Sequence, residues 1–335
     1  MAYVLVVNAG SSSLKFALFG QGLELVDRGQ DSGGGVAGWL KDKGIGIADI
    51  DAVGHRVVHG GTRFIARARV DDQVQAALLQ LTSLAPLHMP TGLRVLQELR
   101  SLLPQADHVV CFDTAFHATQ PDVARRLPLP RAYHERGLQR YGFHGLSYEH
   151  VVDALPRQTG RALPDRLLVA HLGNGASMCA ILEGRSVATT MGYSTADGLV
   201  MGTRTGTIDP GVVIALLRED GLNAAELEDL LYRRSGLLGV SGTSSDLREL
   251  LASPKAAAKD AVEYYCYHAA RHAGSLAAAM GGIDDVVFTG GVGENSPFIR
   301  ARIMNHLAWL KIAQVHVVKA DEERTIARHV KALLG

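Results

Sequence analysis

The chain lacks most of the features that would mark a secreted, membrane-bound or nucleic-acid-binding protein. Only three of its 335 residues are cysteine. Cys111, Cys179 and Cys266 lie far apart, without CxxC spacing, each among apolar neighbours. A disulfide framework or zinc cluster is therefore excluded as the organising device, and three reduced core thiols are expected. There is no surplus charge of either sign, because Lys+Arg and Asp+Glu both number 34. Nucleic acid and membrane surfaces are thus not expected partners, and any charge-driven binding must be local. No apolar run approaches the ~20 residues that span a bilayer. The first one, Val4–Val7, stops at once in Asn8-Ala-Gly, too short for a secretory signal, so a cytoplasmic location is expected.

The length predicts two domains. Tyr3–Val7 reads as a strand, Asn8–Ser13 as a small-residue turn and Leu14–Phe19 as a second strand. The plan returns halfway along, with a strand over Leu167–Ala170, a turn over His171–Gly175 and a strand over Ser177–Leu182. Each half also has a later buried strand, 108–113 and 285–289, which points to an internal duplication with a ligand held between the halves. Helices are predicted from Asp71–Asp72 to Leu84, over Lys255–Met280 and over Glu322–Leu334, giving an α/β protein. Tyr264, Tyr265 and Tyr267 are expected in the core or at a subunit contact. The Gly33–Gly35 run reads as a surface connection.

Three glycine-rich turns follow predicted strands: Asn8–Lys15, His171–Gly175 and Thr289–Asn295. None matches the P-loop pattern or the dinucleotide fingerprint, and the chain has no Gly-x-Ser-x-Gly elbow for acyl transfer. Any one of them is an ordinary turn or a phosphate cradle; three at strand ends favour a nucleotide. Arg56, bracketed by apolar residues in Gly54–Gly61, needs an anion, either a structural carboxylate or a ligand. Arg204, flanked by glycines in Met201–Gly206, has no acidic neighbour in sequence and fits an anion site better. Asp113 ends an apolar strand and needs a cation, a metal or hydrogen bonds. His144 sits in a compact aromatic turn, and Asp246 is either a site residue or a plain helix N-cap. Without a His/Cys cluster, the natural metal is Mg²⁺ carried by the nucleotide. This inventory suits phosphoryl transfer, which needs mainly positioning and electrostatics.

Nine motifs in order resemble those of the acetate kinase family, within the sugar kinase, Hsp70 and actin superfamily. They are VNAGSSSLK (7–15), GHRVVHGG (54–61), APLH (85–88), FDTAFH (112–117), RYGFHG (140–145), HLGNG (171–175), MGTRTGTIDP (201–210), SSDLREL (244–250) and FTGGVGENS (288–296). The resemblance implies a duplicated actin-like α/β fold. It divides the chain into a domain of residues 1–116 plus 320–335, to which the final helix returns, and a domain of residues 117–319. It implies reversible transfer of the ATP γ-phosphoryl group to acetate, giving ADP and acetyl phosphate, with propionate or butyrate as alternative acceptors. A non-catalytic ATP switch of the same superfamily is the other alternative. By the resemblance, Asn8 and Glu322 serve Mg²⁺, for which Mn²⁺ can substitute. Asp113, His144 and Arg204 are catalytic, Arg56 holds the carboxylate, and Val58, Leu87 and Phe143 surround its methyl group. ATP contacts fall to Lys15, to His171, Leu172, Gly173, Asn174 and Gly175, to Asp246, Leu247 and Arg248, and to Gly291, Val292, Gly293, Glu294 and Asn295. A homodimer is implied, with the second domain at its interface. The chain departs from the family in trimmed loops after Phe19 and around Gly33–Gly46, in Thr195 where the family has proline, and in Met89 where asparagine is usual.

Overall fold

The computed structural model describes residues 3–9, 14–31, 35–86 and 88–335. Leu87, Gly10–Ser13 and Gly33–Gly34 lie outside them. The chain forms two compact units, one of residues 1–118, 143–150 and 321–335, the other of residues 119–142 and 151–320.

The first unit is built on a six-stranded sheet of β1 (Tyr3–Ala9), β2 (Leu14–Phe19), β3 (Leu25–Gln30), β4 (Ile50–Val57), β5 (Ala68–Arg69) and β6 (Asp107–Phe112). Their spatial order is β3-β2-β1-β4-β6-β5, with β1, β4 and β6 parallel. Central β1 reads as an unbroken apolar run because both of its faces are covered. Leu5 and Val7 pack with Val95 and Leu99 of the helix Met89–Leu102. Val6 packs on the opposite face with Ile326, Ala327 and Val330 of the helix Glu322–Leu334. That terminal helix begins with Asp321 accepting from the Arg324 amide, and Arg28 of β3 donates to the same carboxylate at 2.5 Å. It lies close over β4: a Cβ on Gly54 would meet Ile326 Cγ2 at 2.5 Å and Val330 Cγ2 at 2.9 Å.

The second unit holds β7 (Arg166–Leu172), β8 (Ala176–Leu182), β9 (Arg185–Thr189), β10 (Asp285–Thr289) and β11 (Gln314–Val317). Their order is β11-β10-β7-β8-β9. Two antiparallel hairpin pairings and two parallel ones repeat the arrangement β6-β4-β1-β2-β3 of the first unit. The duplicated α/β plan expected from the two hairpins is therefore present in the sheets themselves. One detail differs from the expectation. Strand 285–289 lies beside the hairpin, so its counterpart is β4; strand 108–113 lies one place further out and matches β11. Shared burial makes the two look equivalent in sequence, and burial does not reveal sheet position.

One segment also departs from its expected domain, for Phe143–His150 folds with the first unit. There the Gly145 amide donates to the Asp113 carbonyl at 2.8 Å, and Leu146 joins the core beneath the terminal helix. The predicted helices appear as Asp72–Gln80, capped by Asp71, as Ala256–Met280 and as Glu322–Leu334. The three cysteines are buried free thiols. Among the described residues no helix is long and apolar enough to cross a membrane.

This packing has two testable consequences. Gly54→Ala forces the terminal helix away from β4 and should destabilise the protein by ~1–3 kcal/mol. A urea melt unchanged from the parent would show that the helix tolerates displacement. The second concerns acid. Burial pushes His55 down to about 3, and His59 and His117 down to about 4. In the unfolded chain these groups titrate near ~6.5. Between those values only the unfolded state binds their protons, so stability is lost as pH falls below ~6.5, by up to ~1.4 kcal/mol per pH unit for each group. The thermal midpoint should drop steadily from pH 7 to pH 5; a flat profile would contradict buried neutral histidines.

Candidate active site

The parallel strands of the first unit deliver three polar side chains at their C-terminal ends: Asn8 from β1, Arg56 from β4 and Asp113 just past β6. β1 runs two residues beyond its predicted end, so Asn8 is a strand residue, opposite Lys15 on β2. Arg56 donates from Nε to Asp113 Oδ1 at 2.9 Å and from Nη2 to Oδ2 at 2.6 Å. Its Nη1 donates to Asn8 Oδ1 at 3.0 Å and lies 3.6 Å from Glu322 Oε2. The Asn8 amide nitrogen donates to Glu323 Oε1 at 3.1 Å and to Glu322 Oε2 at 3.4 Å. Both glutamates occupy the first turn of the terminal helix, where its dipole favours negative charge.

Burial shapes the electrostatics of this cluster. Asp113 is 1% exposed, and burial raises its pKa, with Glu322 adding to the effect and Arg56 opposing it. Both oxygens accept from the guanidinium, so the carboxylate is the form that this geometry holds. Burial alone would lower the pKa of Arg56, but Asp113, Glu322 and Glu323 outweigh it and the guanidinium is held charged. Three carboxylates face one guanidinium. The group therefore carries an acidic excess that a further cation would offset.

Beside it, His144 adopts φ 59°, in the left-handed region that a β-carbon disfavours. Its carbonyl accepts from the amides of Ser147 and Tyr148 at the start of the helix Gly145–Thr159. Phe143 is buried edge-on against the His59 ring, and its carbonyl meets His117 Nε2 at 2.9 Å. A small cavity, about 10 Å³, adjoins Arg56, Val58 and His88. Leu87, expected at the methyl pocket, lies outside the described residues.

In the second unit the remaining motifs converge. His171 and Leu172 end β7, and only Gly173 begins the turn. A Cβ on Gly173 would lie 3.8 Å from the Gly291 amide. One on Gly290 (φ 77°) would press on the Leu172 carbonyl at 2.8 Å and on His171 Nε2 at 3.2 Å. Gly202 brings the arginine loop against Asn174 Oδ1 and the Ser245 carbonyl, at 2.8 and 3.1 Å from its virtual Cβ. Turn 173–175, segment 290–295, loop 201–206 and residues 244–246 are thus neighbours, and a side chain at Gly290 or Gly202 would press on the facing segment. The glycine-rich turn expected over Thr289–Asn295 is instead a short helix, Gly290–Asn295, that follows β10 directly.

Within this group the residues divide by what already occupies them. Asp246 accepts from the Arg248 amide at 2.8 Å as a helix N-cap, and the Arg248 guanidinium folds back onto it at 2.6 Å. The plain-cap alternative is therefore the arrangement present. Glu294 accepts from the Gly290 and Ala320 amides, and Asn295 donates to the Gly291 carbonyl, so both brace the short helix that carries them. Arg204 is different. Burial lowers its pKa, and Nη1 donates to the Thr195 carbonyl at 2.9 Å, with no ion pair among the described residues. It is a half-buried cation that no described carboxylate pairs with.

Sequence reasoning missed Glu323. Two adjacent glutamates at a helix start offer no reason to choose both, and only the second makes the shorter bond to Asn8.

Comparison with known proteins covers the whole chain. The acetokinase family model matches residues 39–331. An acetate kinase of Rhodopseudomonas palustris is 43% identical over 387 aligned positions, covering 98% of this chain and 97% of that one. One from Nitrobacter hamburgensis is 43% identical over 392 positions, covering 100% and 96%. These alignments are longer than the 335 residues here, so the relatives carry segments that this chain lacks. Among solved structures, Porphyromonas gingivalis acetate kinase superposes with a TM-score of 0.90 at 33% identity over 100% of both chains. A propionate kinase from Francisella tularensis reaches 0.91 at 29% identity, over 99% of this chain and 100% of that one. Fold, ordered motifs and full-length relatives agree, and the chain belongs to the acetokinase family.

Proposed function

We propose that this enzyme transfers the γ-phosphoryl group of ATP to acetate, reversibly, giving acetyl phosphate and ADP. The observation that carries the acceptor assignment is Arg56: a guanidinium fixed by Asp113 and adjoining a small, mostly apolar cavity. A cavity of about 10 Å³ has room for roughly one water-sized group. That favours the methyl of acetate over the longer chains of propionate and butyrate.

In this reading Arg56 binds the acetate carboxylate, and Asp113 keeps the guanidinium aimed by holding its Nε–Nη2 edge. Arg204, short of a counter-ion, stabilises the charge on the transferring phosphoryl group together with His144. The glycine-rich segments of the second unit present backbone amides to the nucleotide, and Lys15 serves its phosphates. The donor chemistry of Asn8, Glu322 and Glu323 fits a hard cation: an amide group between two carboxylates, within an acidic excess. Among the described residues no all-protein cage of three His, Cys, Asp or Glu is formed. These residues would therefore hold Mg²⁺ or Mn²⁺ alongside nucleotide oxygens and water, and the bound ion would offset phosphate charge. We also assign a cytoplasmic location and a homodimer. Tyr264, Tyr267 and Trp309, exposed on the second unit, support the latter.

The test is direct. Purified protein with Mg-ATP and acetate should yield acyl phosphate trapped by hydroxylamine, and an empty trap would refute the assignment. Arg204→Ala should lower kcat by ~10²–10³-fold, as expected for a lost charge stabiliser. Arg56→Gln should raise the acetate KM by ~10–100-fold through the loss of charged hydrogen bonds. An unchanged acetate KM would remove Arg56 from the acceptor site.

A further inference from the structure

Arg56 recognises a carboxylate but is indifferent to the carbon chain attached to it. The cavity at its side is not, and one helix face forms much of its wall. Met89, Gly92 and Leu93 stand at i, i+3 and i+4 in the first turns of the helix Met89–Leu102, so all three project from one face. That face meets Ala9 and Val58 across the cavity.

Two of the three residues are unusual choices for their places. Met89 is 2% exposed, and its unbranched, adaptable side chain closes an irregular gap that a stiffer residue would leave open or overfill. Gly92 is a glycine where alanine would favour the helix. No steric demand explains it: a Cβ there would meet only the Arg56 carbonyl, at 4.0 Å, an ordinary contact. Its φ is not in the left-handed region either. What the missing methyl group does leave is depth in the cavity. His88 lines the same space and acts electrostatically on Asp113, so the cavity connects to the charged cluster.

We propose that Met89 and Gly92 set the length of the acid that this enzyme accepts. Gly92 leaves the depth that one methyl group needs, and Met89 stops anything longer. This rests on the carboxylate-kinase reading above and assigns its chain-length limit to two residues outside the Val58, Leu87 and Phe143 set.

The two substitutions act in opposite directions. Met89→Ala deepens the cavity and should raise kcat/KM for propionate and butyrate relative to acetate by ~10-fold or more. Gly92→Ala fills it while favouring the helix. It should cut kcat/KM for acetate by ~10-fold or more and spare formate, which has no methyl group to place. The hydroxylamine assay with formate, acetate, propionate and butyrate reads all of these ratios, and thermal-shift titration with the acids alone repeats them without turnover. Unchanged ratios in both variants would overturn the proposal. If Met89→Ala does not fold, Gly92→Ala decides alone, since loss of acetate without loss of formate is not a folding defect. Should the parent protein make no acyl phosphate, the kinase reading fails, while acid-specific thermal shifts in the variants still judge the cavity.

Discussion

The pairing of Arg56 with Asp113 is the constraint around which the first unit is arranged. Removing a guanidinium and a carboxylate from water costs several kcal/mol per ion, and the attraction between them recovers this only with good geometry and further hydrogen bonds. Here the geometry is a two-point fork, and Asn8 takes a third donor. Such a pair is weak evidence for stability, because apolar residues of similar volume commonly do as well. Its sense is positional. A rigid guanidinium with a fixed edge presents its remaining N–H groups in a fixed direction, which a lysine on a flexible stem would not do.

Holding that direction requires four segments distant in sequence. β1, β4 and β6 are parallel and in register, so their C-terminal ends bring Asn8, Arg56 and Asp113 to one edge of the sheet. The terminal helix then supplies Glu322 and Glu323, and it reaches β4 only because residue 54 has no side chain. Backbone and cluster are therefore coupled: the contact that seats the helix on Gly54 also sets the distance from Glu322 to Arg56. The acidic excess arises from the same packing. Three carboxylates around one guanidinium are tolerable in a low-dielectric setting only if further positive charge joins them, which is the condition that a magnesium nucleotide would meet.

Much of this is legible in the residues, for identifiable reasons. A charged residue inside an apolar run announces a partner, so Arg56 and Asp113 each demand a counter-ion, and in the fold each is the other's. Repetition announces the two hairpins. Sequence reading goes astray where different causes leave the same trace. Buried strands 108–113 and 285–289 look alike because both are covered on two faces, although they hold different places in their sheets. Phe143–His150 sits amid second-unit sequence, and nothing local reveals that the Asp113 carbonyl captures the Gly145 amide. Glu323 escapes notice because the helix-start signal is the same whichever glutamate bonds Asn8. At Asp246 a ligand contact and a helix cap would leave the same signature, and the cap is what the backbone records.

The duplication also shows how one topology separates into two chemistries. Asn8 and His171 are the penultimate residues of equivalent seven-residue strands, and the ends of β4 and β10 are likewise equivalent. In the first unit these ends carry Asn8 and Arg56, with Asp113 just past β6. In the second they carry His171-Leu-Gly and Thr289-Gly-Gly, where the Leu172 carbonyl lies too close to Gly290 for a side chain there. A sheet edge with ionised side chains suits a small charged group met by fork geometry. A sheet edge of glycines leaves backbone amides accessible, which suits phosphate oxygens. The cation of the second unit, Arg204, accordingly does not stand on a strand end but on the segment between β9 and the helix Pro210–Arg218, held at Gly202 against Asn174. Shared topology fixes where the chain ends its strands, and the side chains placed there, or withheld, give each half a different chemistry.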